Sequence, residues 1–308
     1  MKKLLLFAIL LIAPLALIAQ EETPKDTVAN GWTRAGNLSL LFNQAAFNAE
    51  WTGGGTSNYS GNLSLTYDFN YKHDKLSWNN RLIGEYGLTK NKDDKYSRKT
   101  NDRLELNSIL GQQVNESNWY YSLFFNFKTQ FAKGYEFNKD LSPEDEGYRT
   151  ETTHILSPAY IQFGPGMLWK KSDNLYVNLS PATAKFILVD KDFTTVNENV
   201  PGALDAYNTN KYFGVDANES SRFEFGASVS AYAKFNIMAN ISAENILNLY
   251  SNYLEDPQNV DLDYTFNLVM KVNKYISTNV TFQAIYDDNA VQVFQIRETL
   301  GVGLSYGF

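Results

Sequence analysis

Apolar and polar residues alternate with a period of two along most of the chain. Over residues 262–272 one face is apolar and the other is largely polar, and the same separation runs through residues 62–71, 119–128 and 222–231. This period is typical of β-strands that have one apolar and one polar face. The pattern predicts twelve strands, at about residues 37–48, 59–72, 75–89, 100–115, 117–133, 152–170, 173–190, 220–236, 237–252, 260–273, 275–288 and 293–308.

The connections between these strands indicate the architecture. Every second connection is tight, and most of the others are longer, such as residues 134–151 and 191–219. An even number of amphipathic strands joined in this way is typical of an outer-membrane β-barrel. We therefore predict an all-β fold, an antiparallel transmembrane β-barrel of about twelve strands with short periplasmic turns and long outer loops. The tight turns are expected at about residues 72–74, 115–117, 171–173, 235–237 and 273–274.

A soluble β-sandwich or jelly roll is the alternative all-β fold, because its strands also alternate. Strands in such folds run about five or six residues. Most of the segments found here are about twice as long or longer. Long tilted strands suit a bilayer, so strand length favours the transmembrane barrel.

The amino-terminal segment predicts export. Residues 1–20 read MKKLLLFAILLIAPLALIAQ, with two lysines before an apolar run. This arrangement is typical of a secretory signal peptide, and Pro14 together with the short run disfavours a transmembrane anchor. We predict a signal peptide at residues 1–19, a short periplasmic segment at 20–36 and the barrel at 37–308. The predicted location is the outer membrane of a Gram-negative bacterium.

Composition narrows the classes of function. The chain has no cysteine, which excludes disulfides and thiolate metal sites. The formal charge of −7 becomes −9 without the two lysines of the signal peptide, since 25 basic residues then face 34 acidic ones. An acidic chain disfavours nucleic acid as a partner, because phosphate binding needs a basic surface. The aromatic fraction of 15% is high, and aromatic rings near strand ends suit a membrane interface.

Charged residues on the polar faces predict the contents of the lumen. Seven basic and six acidic residues occupy these faces, so neither sign dominates. Twelve strands give a lumen between those of filled eight-stranded barrels and open sixteen-stranded porins. We therefore expect salt bridges across a narrow or closed channel. The predicted network comprises Asp68, Arg81, Glu85, Arg103, Glu105, Lys128, Arg222, Glu224, Lys234, Glu244, Asp263, Lys271 and Arg297.

The chain ends in GVGLSYGF, a sequence with an aromatic last residue. The ending resembles the carboxy-terminal aromatic signal by which outer-membrane barrels are recognised for insertion. Partners implied by this prediction are outer-membrane lipid and the barrel insertion machinery. The residues assigned to the signal are Leu300, Val302, Leu304, Tyr306 and Phe308.

The two histidines are the candidates for catalysis. His73 falls in a predicted periplasmic turn, and His154 opens the predicted sixth strand. Ser157 lies three residues from His154, which in a strand points it to the opposite face, so the two are not expected to form a nucleophile and base. We predict no catalytic residue.

No cofactor or metal site is predicted either. The stretch WTGGGTS at residues 51–57 lacks the GK[ST] ending of a phosphate-binding loop. Acidic residues of the outer loops have oxygen ligands that suit calcium, but not the spacing of a known calcium loop. These acidic residues are Asp93, Asp94, Glu144, Asp145, Glu146, Asp256, Asp287 and Asp288.

Eight short motifs are spread over most of the chain after the predicted signal peptide. They are EWTGGG (50–55), RKTNDRLEL (98–106), QFAKGY (130–135), HILSPAY (154–160), SPATAK (180–185), SNYL (251–254), MKVNKY (270–275) and IYDD (285–288). These motifs resemble an uncharacterised family of outer-membrane barrels from Bacteroidota-type bacteria, known as domain of unknown function 3078. The resemblance implies a fold and a location but no reaction.

Three functions remain open at this point. The first is a narrow, porin-like channel for small solutes. The second is a non-catalytic structural or accessory barrel that binds other envelope proteins in an assembly or secretion complex. The third is a surface hydrolase that uses His154, which is disfavoured because Ser157 of the same strand is not expected to be its partner, so that a partner would have to come from elsewhere.

Overall fold

The structure is a computed structural model that describes residues 30–48, 56–287 and 291–308. The predicted signal peptide therefore lies outside the described residues. Within the described residues, no helix has both the length and the apolar character needed to cross a membrane.

Fourteen strands form in the described chain. Twelve belong to the barrel, and β6 and β7 form a separate hairpin. The strands are β1 (Gly31–Ala45), β2 (Asn58–His73), β3 (Leu76–Asn91), β4 (Arg98–Gln113), β5 (Trp119–Thr129), β6 (Gly134–Phe137), β7 (Arg149–Thr153), β8 (Ala159–Ser172), β9 (Leu175–Leu188), β10 (Ser221–Met238), β11 (Ile241–Asn252), β12 (Asp261–Lys271), β13 (Ile276–Asp287) and β14 (Val291–Gly307).

The twelve barrel strands close into one antiparallel sheet. Their order around the wall is β1, β14, β13, β12, β11, β10, β9, β8, β5, β4, β3 and β2, and β2 pairs with β1. Neighbours in the wall are thus neighbours in the chain, except at the closing pair β1 and β14 and where the hairpin β6–β7 stands between β5 and β8. The predicted fold class is confirmed. Wherever two neighbouring strands of the closed sheet pair fully, their backbone N–H and C=O groups bond to each other and need no water.

Three predicted boundaries differ from the structure. Strand β1 begins at Gly31, so residues 31–36, assigned to the periplasmic segment, lie in the first strand. The predicted turn at 235–237 is wrong, because β10 continues to Met238 through a bulge after Asn236. The predicted sixth strand begins at Ala159 instead of 152. Residues 149–153 belong to the outer hairpin. A tight bridge joins His154 to Ser157 between this hairpin and β8.

The exterior of the barrel is apolar. Outward side chains of β14 such as Ile296 and Leu300 are 66% and 59% exposed, and Leu40 and Phe42 of β1 are similarly exposed. Exposed apolar side chains repeated along every second residue of a closed barrel are typical of a surface that faces lipid.

The chain end closes the barrel. The backbones of Phe308 and Gly36 exchange two hydrogen bonds, at N···O distances of 2.7 and 3.0 Å. The Phe308 ring stacks on Tyr67 and Tyr306, each with a centroid separation of 6.1 Å. Gly36 lies beneath the ring, where a Cβ atom would stand 2.3 Å from the ring carbon Cζ. The absence of a side chain at this position is therefore what lets Phe308 lie flat on the wall.

Two long connections form the outer layer. The first carries the hairpin β6–β7, paired from Gly134 with Thr153 to Phe137 with Arg149. The second, between β9 and β10, contains 3-10 turns at Lys191–Phe193 and Tyr212–Gly214 and the short helix α1 (Ala203–Thr209). Both connections lie at the end of the barrel opposite Phe308, because β5, β9 and β1 all run toward that end.

Candidate functional site

The candidate site is the lumen, where side chains from ten of the twelve barrel strands line a cavity of about 340 Å³. Charged groups such as Arg81, Arg103 and Asp263 line it together with aromatic rings such as Tyr176 and Tyr250. Period-two alternation positions these side chains, because every second residue of each strand points inward.

The first ion-pair layer crosses the whole lumen. Arg81 on β3 binds both oxygens of Asp68 on the neighbouring strand β2, at 2.7 and 3.2 Å. The same guanidinium donates to Glu244 Oε1 at 3.0 Å and to the Tyr232 hydroxyl at 3.0 Å. Strand β11, which carries Glu244, lies six positions from β3 in the twelve-stranded wall. Arg81 therefore bridges opposite walls and constricts the lumen.

Tyr232 and Asn267 complete the partners of Glu244. The tyrosine hydroxyl donates to Glu244 Oε1 at 2.6 Å, and Asn267 donates to Oε2 at 3.0 Å. The Arg81 guanidinium also lies over the Tyr232 ring, 4.5 Å from its centroid. A buried ion pair needs such additional hydrogen bonds to offset the loss of water around its charges.

A second layer crosses the lumen nearer the outer end. Lys128 on β5 binds Asp263 on β12 at 2.7 Å, five strands around the wall. Arg103 binds Glu105 of the same strand at 2.5 Å, and both side chains are buried. Asn107 and Asn126 donate to the other Glu105 oxygen at 2.7 and 3.0 Å. The two layers bring together seven of the predicted network residues.

A third charge cluster lies toward the outer mouth. Lys185 on β9 binds Glu224 at 3.1 Å and Asp261 at 3.2 Å. Glu224 also faces Arg222 Nε at 3.0 Å, and Arg222 reaches Glu255 at 2.5 Å. Of this cluster, only Arg222 and Glu224 were in the predicted network.

Lys185 was missed because the period-two pattern changes phase along β9. Asn178, Ser180, Thr183 and Lys185 are all buried, so the inward positions pass from even to odd numbers after Ser180. The register against β10 shifts at the same point. A β-bulge inserts one residue and so moves the following side chains to the other face. Pro181 was the available signal, because proline inside a strand is typical of a bulge.

Apolar side chains also enter the lumen, which the predicted polar interior did not include. Ile109, Phe124 and Leu168 form a buried cluster, with Tyr120 and Tyr176 packed against it. Phe124 occupies an inward position of β5, between Ser122 and Asn126. The sequence signal was the pair of adjacent aromatic residues at 124 and 125. Neighbouring residues of a strand point to opposite faces, so one of these two rings must point into the lumen.

The remaining predicted network residues are less tightly joined. Arg297 approaches Glu85 at 3.9 Å, and Glu85 accepts a hydrogen bond from Asn101 at 3.0 Å. Within the described part of the chain, neither Lys234 nor Lys271 forms a salt bridge, and both are exposed at the end of the barrel that carries the short turns. These two lysines lie outside the constricted part of the lumen.

The outer mouth is covered by the connection between β9 and β10. Phe213 lines the lumen cavity and meets the Tyr160 ring edge-on, with centroids 6.4 Å apart. The Tyr212 hydroxyl donates to the carbonyl of Thr152 at 2.7 Å, and Arg222 donates to the carbonyl of Gly214 at 2.9 Å. The outer loop thus folds inward and is held by hydrogen bonds to β7 and to β10.

His154 lies in this outer layer and faces two carboxylates. Its Nδ1 is 2.8 Å from Glu151 Oε1, and its Nε2 is 3.2 Å from Asp190 Oδ2. Hydrogen bonds from Lys133 and from His154 lower the pKa of the Glu151 carboxyl. The Ser157 hydroxyl accepts from the Asp190 backbone at 2.9 Å. The histidine therefore orders the loops and is not directed at a serine.

Several acidic residues of the outer loops are directed at protein groups. Glu144 binds Lys95 at 2.6 Å, and Asp94 accepts from Asn91 at 2.9 Å. Among the residues that the structure describes, no three His, Cys, Asp or Glu side chains are grouped so as to hold a metal ion. Asp288 lies outside the described residues. His73 is exposed at the end of β2, 3.5 Å from Asp74.

Similar architectures occur among solved structures. The translocator domain of the autotransporter NalP from Neisseria meningitidis matches with a TM-score of 0.40 and 9% identity, covering 92% of this chain and 90% of that one. The COG4313 outer membrane channel from Pseudomonas putida F1 matches with a TM-score of 0.38 and 12% identity, covering 93% and 99%. No curated protein matches the sequence.

The family comparison concerns the first strands of the barrel. These strands carry Asp68 and Arg81, two members of the first ion-pair layer, and Arg103 and Glu105 of the second. Residues 42–135 match the family described as Protein of unknown function (DUF3078), which confirms over this segment the resemblance found in the sequence.

Proposed function

We propose that this protein is a non-catalytic outer-membrane β-barrel of a Gram-negative bacterium that forms a narrow channel for small polar solutes. The apolar exterior supports placement in a membrane, because exposed rows of Leu, Ile and Phe are unfavourable in water. The aromatic residues at the barrel end, with Phe308 against Tyr67 and Trp32 5.8 Å from Trp78, support an interfacial position for that end.

One observation carries the channel proposal: the lumen holds a cavity of about 340 Å³ that is lined by charged and aromatic side chains and bounded by cross-lumen ion pairs. A cavity of this volume suits a small solute and not a polymer. Arg81 closes it on one side, and Phe213 covers it on the other. The constriction consists of side chains and one loop, which can move without breaking the wall.

Planar-bilayer recordings test the proposal. We expect the wild-type barrel to show small single-channel conductance and Arg81→Ala to show conductance several-fold larger, because the substitution removes the bridge between opposite walls. Lys271→Ala is the matched control, since Lys271 is also a cation on the lumen face but belongs to no described salt bridge. The absence of conductance in both the wild type and Arg81→Ala would contradict a channel.

An accessory barrel is the second candidate, and the outer layer favours it. Arg149 on β7 lies over the Tyr96 ring at 4.2 Å and over Tyr135 at 4.6 Å, and Arg98 lies over Phe137 at 4.5 Å. These contacts give the hairpin a fixed surface above the wall. The candidate predicts that a second envelope protein co-purifies after gentle detergent extraction. Recovery of the barrel alone, together with measurable conductance, would favour the channel.

The proposed location has its own test. Deletion of Phe308 removes two backbone hydrogen bonds and two ring contacts at the closing strand. We propose that outer-membrane lipid and the barrel insertion machinery are the partners of this end of the chain. Cell fractionation is expected to show less folded protein in the outer membrane after the deletion, and an unchanged level would count against this role.

A further inference from the structure

The join between β1 and β14 is incomplete. Only six residue pairs connect these strands, from Asn37 with Gly307 to Phe42 with Val302. By contrast, all fifteen residues of β1 pair with β2. Continued at the same register, β1 would place Ala45 opposite Thr299, but the described residues show no pairing between β1 and β14 beyond Val302.

Where the two strands part, the end of β1 stays with β2. The Phe47 backbone donates to the Ser57 hydroxyl at 2.9 Å, which holds this end against the start of β2. Strand β14 continues on the other side, where it stays paired with β13 up to Val291. Between residues 296 and 301, opposite which the same register would place the described residues 43–48, β14 therefore pairs with a strand on one side only.

This gap lies in the outer half of the wall. At about 2.5 Å of height per residue of a tilted strand, Val302 is about 15 Å from Phe308, and Glu298 is about 25 Å from it. Ile296 and Leu300 face outward and are 66% and 59% exposed, so the wall beside the gap has a lipid-facing surface. Unpaired backbone groups in hydrocarbon are unfavourable by several kcal/mol each, so a polar ligand beside residues 296–301 would be favourable there.

A second cavity of about 410 Å³ adjoins the gap. Ile296, Gln295 and Arg297 of β14 line it on one side, and it shares Arg103 and Lys128 with the central cavity. Its charged lining consists of four cations and one carboxylate, and three of the cations are held by carboxylates. Those pairs join Lys99 to Asp102, Arg103 to Glu105 and Lys128 to Asp263.

Arg297 differs from the other cations. Its Nε has no hydrogen-bond partner among the described residues, and its nearest carboxylate, on Glu85, is 3.9 Å away. A partly buried guanidinium with a free donor favours an anionic oxygen ligand, because charge-assisted hydrogen bonds to carboxylate or phosphate are strong. The cavity beside the gap thus offers a cation inside and an apolar surface outside.

We propose that the gap between β1 and β14 is a lateral opening through which an amphiphile with an anionic head group and an apolar chain passes between the lumen and the outer leaflet. Arg297 binds the head group, a carboxylate or a phosphate, while the chain lies along Ile296 and Leu300 in the lipid. The proposal rests on the membrane location proposed above, but not on conduction of solutes through the lumen.

Disulfide trapping tests the opening, since the chain has no native cysteine. Ser39→Cys with Ser305→Cys places two thiols at a directly opposed pair of the closed join. Gly36 and Phe308 form a hydrogen-bonded pair, and hydrogen-bonded and non-hydrogen-bonded pairs alternate along an antiparallel ladder. Ser39 and Ser305 lie three pairs further along, so they form a non-hydrogen-bonded pair, whose side chains lie closer together. The pair is expected to oxidise readily. Ala45→Cys with Thr299→Cys continues the same register with the same spacing type, and is expected to stay reduced.

Two results would overturn the opening. Equal oxidation of both cysteine pairs would show that the join is continuous. Disulfide-linked dimers of the single variant Thr299→Cys would assign the free edge of β14 to a second copy of the chain. Should neither pair oxidise, mass spectrometry of labelling by a small thiol reagent is expected to show faster reaction at Thr299→Cys than at Ser305→Cys, and the reverse order would count against the opening.

Ligand binding tests the role of Arg297. The probe is cis-parinaric acid, a fluorescent long-chain carboxylate, titrated into the purified barrel in neutral detergent. We expect Arg297→Gln to weaken binding at least about five-fold, through loss of a charge-assisted hydrogen bond. Arg297→Lys is expected to restore part of the affinity, and Lys271→Gln to leave it unchanged. Equal affinity of the wild type and Arg297→Gln would refute the site.

Competitors distinguish the two head groups. Dodecanoate and dodecyl phosphate are expected to displace the probe, and the more effective of the two identifies the source as a free fatty acid or a phosphate lipid. Dodecanol, which has the same chain without the charge, is expected to compete weakly. Displacement by dodecanol as effective as by the anions would overturn the anionic specificity. Sealed bilayer recordings with intact probe binding would contradict the channel and leave the lateral opening standing.

Discussion

The contact between Phe308 and Gly36 yields the sharpest stability prediction. In Gly36→Ala, the new Cβ would lie 2.3 to 2.9 Å from three carbons of the Phe308 ring, so the ring must move. Because Phe308 is 58% exposed, its ring can swing outward without disturbing the wall. The movement separates it from Tyr67 and Tyr306, on which it stacks at 6.1 Å.

The expected magnitude follows from these two ring contacts. An aromatic pair contributes roughly 0.5–1.5 kcal/mol beyond area burial, so the loss of two lowers the free energy of unfolding by about 2 kcal/mol. Replacing glycine by alanine within a strand returns about 0.5–1 kcal/mol, because the unfolded chain loses conformational freedom. We expect Gly36→Ala to be less stable than the wild type by about 1 kcal/mol.

The assay is urea unfolding in lipid vesicles, followed by tryptophan fluorescence and by the gel shift of the folded barrel. Gly61→Ala is the matched control, since Gly61 lies on the adjacent strand and its Cβ would meet only a backbone oxygen at 3.9 Å. We expect this variant to be as stable as the wild type or more so. In a Phe308→Ala background the Gly36→Ala penalty should vanish. Its persistence there would refute the steric explanation.

Three further predictions concern the lumen and the loops. Phe213→Ala removes the ring that meets Tyr160 above the cavity and is expected to raise single-channel conductance in planar bilayers. Lys185→Met leaves the partly buried Asp261 without its cation and the buried Glu224 with Arg222 alone, and is expected to lower the free energy of unfolding by about 3 kcal/mol in urea titrations, with partial rescue by Glu224→Gln. The lowered pKa of Glu151 means that its carboxylate stabilises the hairpin above the ordinary carboxyl pKa of 4.5, and that this contribution is lost as pH falls through the lowered value. Hydrogen exchange of β7 should therefore speed up at acidic pH, and Glu151→Gln should abolish that dependence.

Strand count and side-chain orientation were predictable from the sequence. Inward and outward positions alternate strictly in an extended chain, so polar and apolar residues report their own faces. Asp263 and Lys128 could be assigned to the lumen for this reason. The rule failed at Lys185, where a bulge shifts the phase, and at Phe124, where an apolar side chain points inward.

The partner of each lumen charge was not predictable. Alternation says that Arg81 points inward, but not that it reaches Glu244, 163 residues away. Whether the two side chains meet in space depends on the number of strands in the closed wall and on their stagger, which are properties of the whole sheet. The insertion of Phe213 into the mouth likewise depends on hydrogen bonds from residues of several strands and loops.

The sequence by itself determined a twelve-stranded amphipathic sheet with a charged interior and an aromatic carboxy-terminal residue, because period-two alternation is a local property. Only the tertiary structure decided which charges meet across the lumen, and only it placed Gly36 beneath Phe308. It also decided that β1 and β14 part after Phe42 and Val302. These features arise where distant segments meet, so their geometry is set by closure of the barrel and not by any one strand.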